Sequence, residues 1–227
     1  FWLLLPMGPT SFGDSRYQSF SAFAGNPYYI DLDILKEEEL LTQEEIDECF
    51  WSEQPDQVKY DAVYYYRFPL LKKAFGRSGH EKTEAYKAFL EKNAYWIDDY
   101  SLYMALKKHF EDAGWLEWDE DVRFRRPAAM AKYQEELKEE IDYWKFLQFK
   151  FFEQWEKLKE YANENNIKIV GDIPIYVALD SADVWSHPEL FQLDEKNLTP
   201  VNVAGVPPDA FSDEGQLWGN PLYRWDY

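Results

Sequence analysis

The stretch Ile167-Lys168-Ile169-Val170-Gly171-Asp172-Ile173-Pro174-Ile175-Tyr176-Val177 decides the fold class. β-Branched residues dominate it, and Pro174 marks the end of a strand. Just upstream, Arg126-Pro127 opens a helical segment that the spacing carries to Asn165. Tyr143, Trp144, Leu147, Phe151, Trp155 and Leu158 form its packing side, and rows of Glu and Lys alternate with them. Asn165-Asn166 ends it. A helix followed at once by a buried strand is half of a parallel βαβ unit. The other strand opens the chain: Phe1 to Leu5 is apolar on both faces and reads as fully buried, and Pro6 with Gly8-Pro9 turns it into a loop. Two such strands separated by helices predict an α/β protein with a parallel sheet or barrel. Closing a (β/α)8 barrel takes eight strands and typically about 250 residues, so about a quarter of one is expected here. A hydrophobic strand needs neighbours on both sides, and Phe1 is no initiator Met, so the natural N-terminus is expected upstream of Phe1.

Between the strands the pattern is helical. Thr42 with Glu45 has capping-box spacing and predicts a helix reaching about Phe50. From Asp56 to Gly114, Pro69 is expected to restart one helix and Gly76 with Gly79 to break another. Leu102, Ala105, Leu106 and Phe110 make one apolar stripe. The remainder, Ala178 to Tyr227, is rich in Asp, Pro, Gly and Trp and reads as extended loop over a binding face, with only short helical patches. This gives three parts: residues 1–44 with a barrel strand and a substrate-binding loop, 45–130 as an inserted helical subdomain, and 131–227 with a barrel helix, a strand and a further loop.

Composition narrows the function. The 227 residues carry 24 Lys and Arg against 43 Asp and Glu, a net charge of −19, which repels phosphate backbones and argues against nucleic-acid binding. Aromatic residues make up 19%, whereas disordered acidic chains are aromatic-poor, so the chain folds. One cysteine, Cys49, excludes an intrachain disulfide and suits a reducing, cytoplasmic compartment. Cys49 is read as a small buried apolar residue. With His80, His109 and His187 widely separated, no metal site and no cofactor are expected. The apolar run from Phe1 to Met7 is too short to span a bilayer.

Three constellations carry candidate chemistry. Gly13-Asp14-Ser15-Arg16-Tyr17-Gln18-Ser19 offers hydroxyls, a carboxylate and a ring just past a strand end, or alternatively a loop that tucks Tyr17 into its own core. In Gly171-Asp172-Ile173-Pro174 a carboxylate sits in an apolar strand, on the face of Val170 and Pro174. A buried Asp172 must pair with a cation, accept several hydrogen bonds or meet a polar ligand. From Val203 to Tyr223, dense Pro and Gly make a stiff loop able to present Asp209, Phe211, Gln216 and Trp218 to one side. Aromatic faces beside Asp, Asn and Gln suit a sugar, whose C–H faces stack on rings while its hydroxyls want planar partners; a packing plug is the alternative for Trp218. His187 reads as a helix-terminal hydrogen-bonder, and Glu135 to Glu140 as a solvated helix face.

Taken in order, these segments resemble the 4-alpha-glucanotransferases, the amylomaltase or disproportionating-enzyme family of the α-amylase superfamily. The residues that carry the resemblance are Trp2-Leu3-Leu4-Leu5-Pro6-Met7-Gly8-Pro9-Thr10, Gly13 to Ser19, Phe23-Ala24-Gly25-Asn26-Pro27, Gly171 to Pro174, Asp180-Ser181-Ala182-Asp183-Val184-Trp185, and Ala204 to Asp209 on through Trp218-Gly219-Asn220-Pro221-Leu222-Tyr223. The resemblance implies a partial (β/α)8 TIM barrel with an inserted helical subdomain. It also implies a retaining double displacement that passes an α-1,4-glucan segment to the 4-hydroxyl of another sugar. By position, Tyr17 matches the residue that stacks on the sugar at the cleaved bond, and Asp172 the aspartate that binds the same sugar. Ser15 is placed with them in the binding loop. Asp209, Phe211, Gln216 and Trp218 fall in the loop that closes over the glucan on the acceptor side.

The chain departs from the family pattern at Arg16, where proline is usual, and at Leu3, where glutamine is common. No Arg-x-Asp-His occurs, the motif that holds the family's nucleophile. The catalytic carboxylates are therefore expected outside this chain, with α-1,4-glucans and maltooligosaccharides as ligands and no nucleic-acid or membrane partner. A non-catalytic glucan-binding module is the second reading, and an acidic helical interaction protein the third.

Overall fold

The computed structural model describes residues 1–11, 15–52 and 56–227. Two short strands, β1 (Trp2–Leu3) and β2 (Ile169–Val170), pair in parallel, Trp2 opposite Ile169 and Leu3 opposite Val170. The Trp2 N–H donates to the Lys168 carbonyl at 2.8 Å and the Leu4 N–H to that of Val170 at 2.9 Å. A parallel pair joined through intervening helices is what the two apolar runs predict, but their burial is not. Phe1 is 92% and Leu3 64% exposed, and Val170 and Ile173 are exposed as well. β1 and β2 have only each other, and among the described residues no third strand covers either edge or face.

Nine α-helices stand between and after these strands among the described residues: α1 (Leu32–Glu37), α2 (Gln43–Asp47), α3 (Tyr60–Ser78), α4 (Glu84–Lys92), α5 (Ile97–His109), α6 (Glu120–Arg123), α7 (Pro127–Glu136), α8 (Lys138–Glu164) and α9 (Ala182–Ser186). The Thr42–Glu45 capping box forms and starts α2, which stops at Asp47. α3 runs straight through Pro69 instead of restarting there. Its Leu70, Leu71 and Ala74 are buried, and this packing offsets the roughly 3 kcal/mol a helix-interior proline costs. Gly76 lies inside α3, and Gly79 ends it at φ +53°. The segment expected to be continuous from Arg126 to Asn165 is two helices, because Leu137 leaves helical geometry at ψ +17°. Asn165 caps α8 and Asn166 turns the chain at φ +59°.

α5 and α8 form the centre. The expected stripe on α5 is a buried helix on nearly every side, from Ile97 through Lys107. Buried Lys107 is satisfied by Asp180 at 2.7 Å and by the carbonyls of Asp112 and Ala113. The Tyr103 hydroxyl donates to the same Asp180 at 2.6 Å. One continuous core joins Ile30, Leu71, Tyr103, Trp144, Leu147, Val184 and Trp185, so the chain's two ends and its helical middle share an interior.

α8 also fastens the loop after β1. Gln148 on its buried side accepts from the Gly25 N–H at 2.8 Å and donates to the Gly25 carbonyl at 2.9 Å. Gln154, six residues on, does the same with Asp31, at 2.7 and 3.2 Å. Each glutamine pairs with a backbone as a neighbouring strand would. Gly25 is needed at this contact: a Cβ there would lie 2.0 Å from the Phe151 ring.

The expected extended loop after Ala178 holds an antiparallel hairpin, β3 (Val203–Val206) with β4 (Gln216–Pro221). Its strands are joined by nine residues rich in Pro, and no two-residue turn signal marks it in sequence.

Candidate functional site

Tyr17 and Asp172 meet. The Tyr17 hydroxyl donates to Asp172 Oδ2 at 2.8 Å, across 155 positions of sequence. Because β1 and β2 are parallel neighbours, the segments leaving their carboxyl ends emerge side by side. Tyr17 is 48% exposed, so its ring is not tucked into a local core. Asp172 is exposed too, a correction to the buried carboxylate expected from its apolar neighbours. It lies two residues beyond the end of β2, and among the described residues no third strand joins that sheet. The hydrogen bond to Asp172 raises the pKa of the Tyr17 phenol, with desolvation and the nearby negative charge acting in the same direction. A carboxyl group has more than one acceptor lone pair, so after accepting from Tyr17 the exposed Asp172 can accept from further donors beside an open aromatic face.

Ser15 shapes the turn. Its hydroxyl accepts from the Tyr17 N–H at 3.4 Å and its carbonyl from the Gln18 N–H at 3.2 Å. Gly13 and Asp14 of the same motif lie outside the described residues. Downstream, the Ala182 N–H donates to the Phe20 carbonyl, and the Ala22 N–H to Asp183 at 2.9 Å. Burial raises the Asp183 carboxyl above the usual aspartate range, against the lowering by the hydrogen bonds it accepts.

The hairpin carries the other four candidates. Gln216 and Trp218 stand together on β4, with the Trp218 indole N–H donating to Gln216 Oε1 at 3.0 Å. Trp218 is 41% exposed, and its ring centroid is 6.3 Å from that of Tyr176, which stacks on Tyr223. Asp209 and Phe211 are at the tip. Asp209 accepts from the backbone N–H groups of Phe211 and Ser212 at 2.8 and 3.0 Å, an Asx turn that leaves Phe211 92% exposed.

Gln18 and Asn220 carry no expected role in the motifs above, and the structure joins their side chains. Gln18 Nε2 donates to Asn220 Oδ1 at 3.0 Å, and Asn220 Nδ2 donates to the Val177 carbonyl at 2.8 Å. A separate cavity of about 530 Å³ had no counterpart in the sequence reading. Tyr28, Tyr64, Phe68, Tyr143 and Trp144 are among its walls, and Tyr17, Asp172 and Trp218 are not.

Other readings divide. His187 closes α9 as expected, its Nδ1 3.2 Å from Glu189. Cys49 is half-buried, and burial raises its thiol pKa. Glu140 leaves the expected solvated face: its carboxylate is largely covered, between Lys72 at 3.3 Å and Lys108 at 3.1 Å. Among the described residues no helix is long and apolar enough to cross a membrane, and no three His, Cys, Asp or Glu side chains gather to hold a metal.

A half-open aromatic ring hydrogen-bonded to an exposed carboxylate, with a second half-open ring on a hairpin, sits on a mixed helical and parallel-strand frame. All 227 residues match the family model described as 4-alpha-glucanotransferase, and the chain belongs to that family. It is 50% identical over 227 residues to a 4-alpha-glucanotransferase of Clostridium butyricum, covering 100% of this chain and 47% of that protein. Against the Thermus thermophilus 4-alpha-glucanotransferase the identity is 48% over 230 residues, covering 100% and 45%. In structure it is similar to the amylomaltase from Streptococcus agalactiae in complex with acarbose, with a TM-score of 0.94 and 44% identity over 100% of this chain and 46% of that one. The fold also matches the amylomaltase from Corynebacterium glutamicum, with a TM-score of 0.71 at 19% identity over 97% of this chain and 31% of that one. The chain spans about half the length of the curated relatives it matches.

Proposed function

We propose that the protein carrying this chain is a 4-alpha-glucanotransferase, and that this chain supplies the substrate-binding side of its site. In this reading residues 1–44, 45–130 and 131–227 are a barrel strand with its loop, an inserted helical subdomain, and a barrel helix, strand and acceptor-side hairpin of a (β/α)8 barrel. Tyr17 stacks on the glucose at the cleaved bond and Asp172 holds its hydroxyls, with Ser15 shaping the turn between them. Asp209, Phe211, Gln216 and Trp218 cover the glucan where the acceptor enters. A retaining displacement needs a nucleophile and an acid about 5–5.5 Å apart, and these come from residues beyond the motifs found here. A cytoplasmic location fits the single cysteine.

The observation that carries this reading is the Tyr17–Asp172 hydrogen bond. It brings together, from opposite ends of the chain, the two residues that the motif match assigns to one sugar. Asp172→Asn in the complete protein tests it. If Asp172 binds hydroxyls more tightly as the ring flattens toward an oxocarbenium-like transition state, kcat falls while KM changes little. Unchanged kinetics with a lowered melting temperature would make Asp172 a packing residue. By the same reading, the 227 residues alone transfer no glucan from maltotriose, and disproportionation by a pure sample of this length would contradict it.

A further inference from the structure

We infer that Gln18 and Asn220 are positioning residues that fix the acceptor-side hairpin relative to the Tyr17–Asp172 pair and so favour transfer over hydrolysis; this rests on the reading above. Gln18 follows Tyr17 directly, and its backbone is held on both sides. Its carbonyl accepts from the Ser11 N–H at 3.0 Å and the Ser11 hydroxyl at 2.7 Å, while its N–H donates to Ser15. Its side chain therefore leaves from a fixed point and reaches Asn220 Oδ1 at 3.0 Å.

Asn220 is 3% exposed and is the node of three segments. Its oxygen receives the loop that carries Tyr17, its nitrogen holds the Val177 carbonyl at 2.8 Å, and its backbone belongs to β4, two residues beyond Trp218. Val177 follows Tyr176, whose ring neighbours Trp218, and lies five residues beyond Asp172. The Asn220 amide accepts from one partner through its oxygen and donates to the other through its nitrogen. An aspartate keeps the acceptor and loses the donor, and leucine loses both.

The backbone of β4 is built for this division. In a regular strand residues two apart share a face, yet Trp218 is open while Asn220 is buried. Gly219 between them has φ +79°, a conformation that side-chain-bearing residues rarely adopt, and this turn in the strand sends Asn220 inward and leaves Trp218 at the surface.

The consequence for chemistry follows from alignment. An acceptor sugar must bring its 4-hydroxyl into line with the glycosyl-enzyme, and a misplacement of about 1 Å can cost on the order of 100-fold. Water attacks the same carbon without needing the hairpin. Loosening the amide pair therefore slows transfer more than hydrolysis.

The test uses the complete protein, with maltotriose as donor and glucose as added acceptor, and Gln18→Leu beside Asn220→Asp. Gln18 is only half-buried, so Gln18→Leu remains informative where Asn220→Asp fails to fold. The expected result is a KM for acceptor raised about tenfold and a product ratio moved toward hydrolysis, with total donor cleavage within about threefold of wild type. An unchanged acceptor KM and product ratio would overturn the inference. So would transfer and hydrolysis falling together in step with melting temperature. Wild-type protein that moves no glucan would instead remove the proposed function.

Discussion

Replacing Gln148 with leucine strips both hydrogen bonds from Gly25 and leaves a backbone N–H and a carbonyl with no partner in a dry interior, since Gln148 is fully buried. Each orphaned group costs about 1–3 kcal/mol, so the substitution is expected to cost about 2–6 kcal/mol. At roughly 2–4 °C per kcal/mol for a protein of this size or larger, the melting temperature falls by roughly 4 °C or more. Gln148→Glu sharpens the argument because it keeps the shape. One carboxylate oxygen still accepts from the Gly25 N–H, but the other faces the Gly25 carbonyl with no proton to offer. Protonation restores the donor, so burial and this lone-pair clash hold the folded-state pKa above the value near 4.3 of an unfolded chain. The folded state then binds the proton more tightly, and the native-like contribution is present below about pH 4.3 and lost as pH rises through the raised value. The assay is thermal unfolding of wild type and both variants between pH 4.5 and 8. The gap between wild type and Gln148→Glu should widen with pH while that of Gln148→Leu stays constant. A leucine variant melting with wild type, or a pH-independent gap for the glutamate, would refute the two-point role of Gln148.

Trp218→Ala should weaken acceptor use and shift products from rearranged maltodextrin toward free sugar, read as the ratio of glucose released to glucan transferred; an unchanged ratio makes Trp218 a packing residue. His80 is buried against Tyr86, Phe146 and Phe75 with Ser78 on its Nδ1, and burial lowers its pKa despite nearby Glu81 and Asp142. An unfolded histidine takes up its proton near pH 6.5, so wild-type stability should be full above that and decline as pH falls below it, whereas His80→Phe should flatten that limb of the curve. Gly25→Ala places a methyl group inside the Phe151 ring and should destabilise by about 1–3 kcal/mol, with Phe151→Leu in the same protein recovering part of the loss in a denaturant titration.

The sequence was informative where local chemistry and periodicity agree. The Thr42 cap, the Asn165-Asn166 stop and the parallel relation of Trp2–Leu3 to Ile169–Val170 all follow from residues read in place. Tyr17 and Asp172 were separately legible as candidates, but only the pairing of β1 with β2 makes them neighbours. Burial was misjudged for Phe1 to Leu5 and for Asp172 because apolar composition states what a strand wants, not which neighbours are present to cover it. The β3–β4 hairpin escaped notice because a Pro-rich connection of nine residues carries the signature of a loop. Gln148, Gln154 and Glu140 escaped for another reason. A polar residue on a helix reads as solvent-facing unless its distant partner is known, here the Gly25 backbone, the Asp31 backbone and two lysines. Gln18 and Asn220 belong with them, since an amide gives no sign of which amide it will meet.

The most direct measurement is a crystal structure of the complete protein with a maltooligosaccharide bound. The expected result is one glucose ring stacked on Tyr17 with hydroxyls within about 3.2 Å of Asp172, and the glucan continuing toward Trp218 on β4. A glucan bound elsewhere, with Tyr17 and Asp172 still satisfied only by each other, would contradict the assignment of this surface as the substrate site.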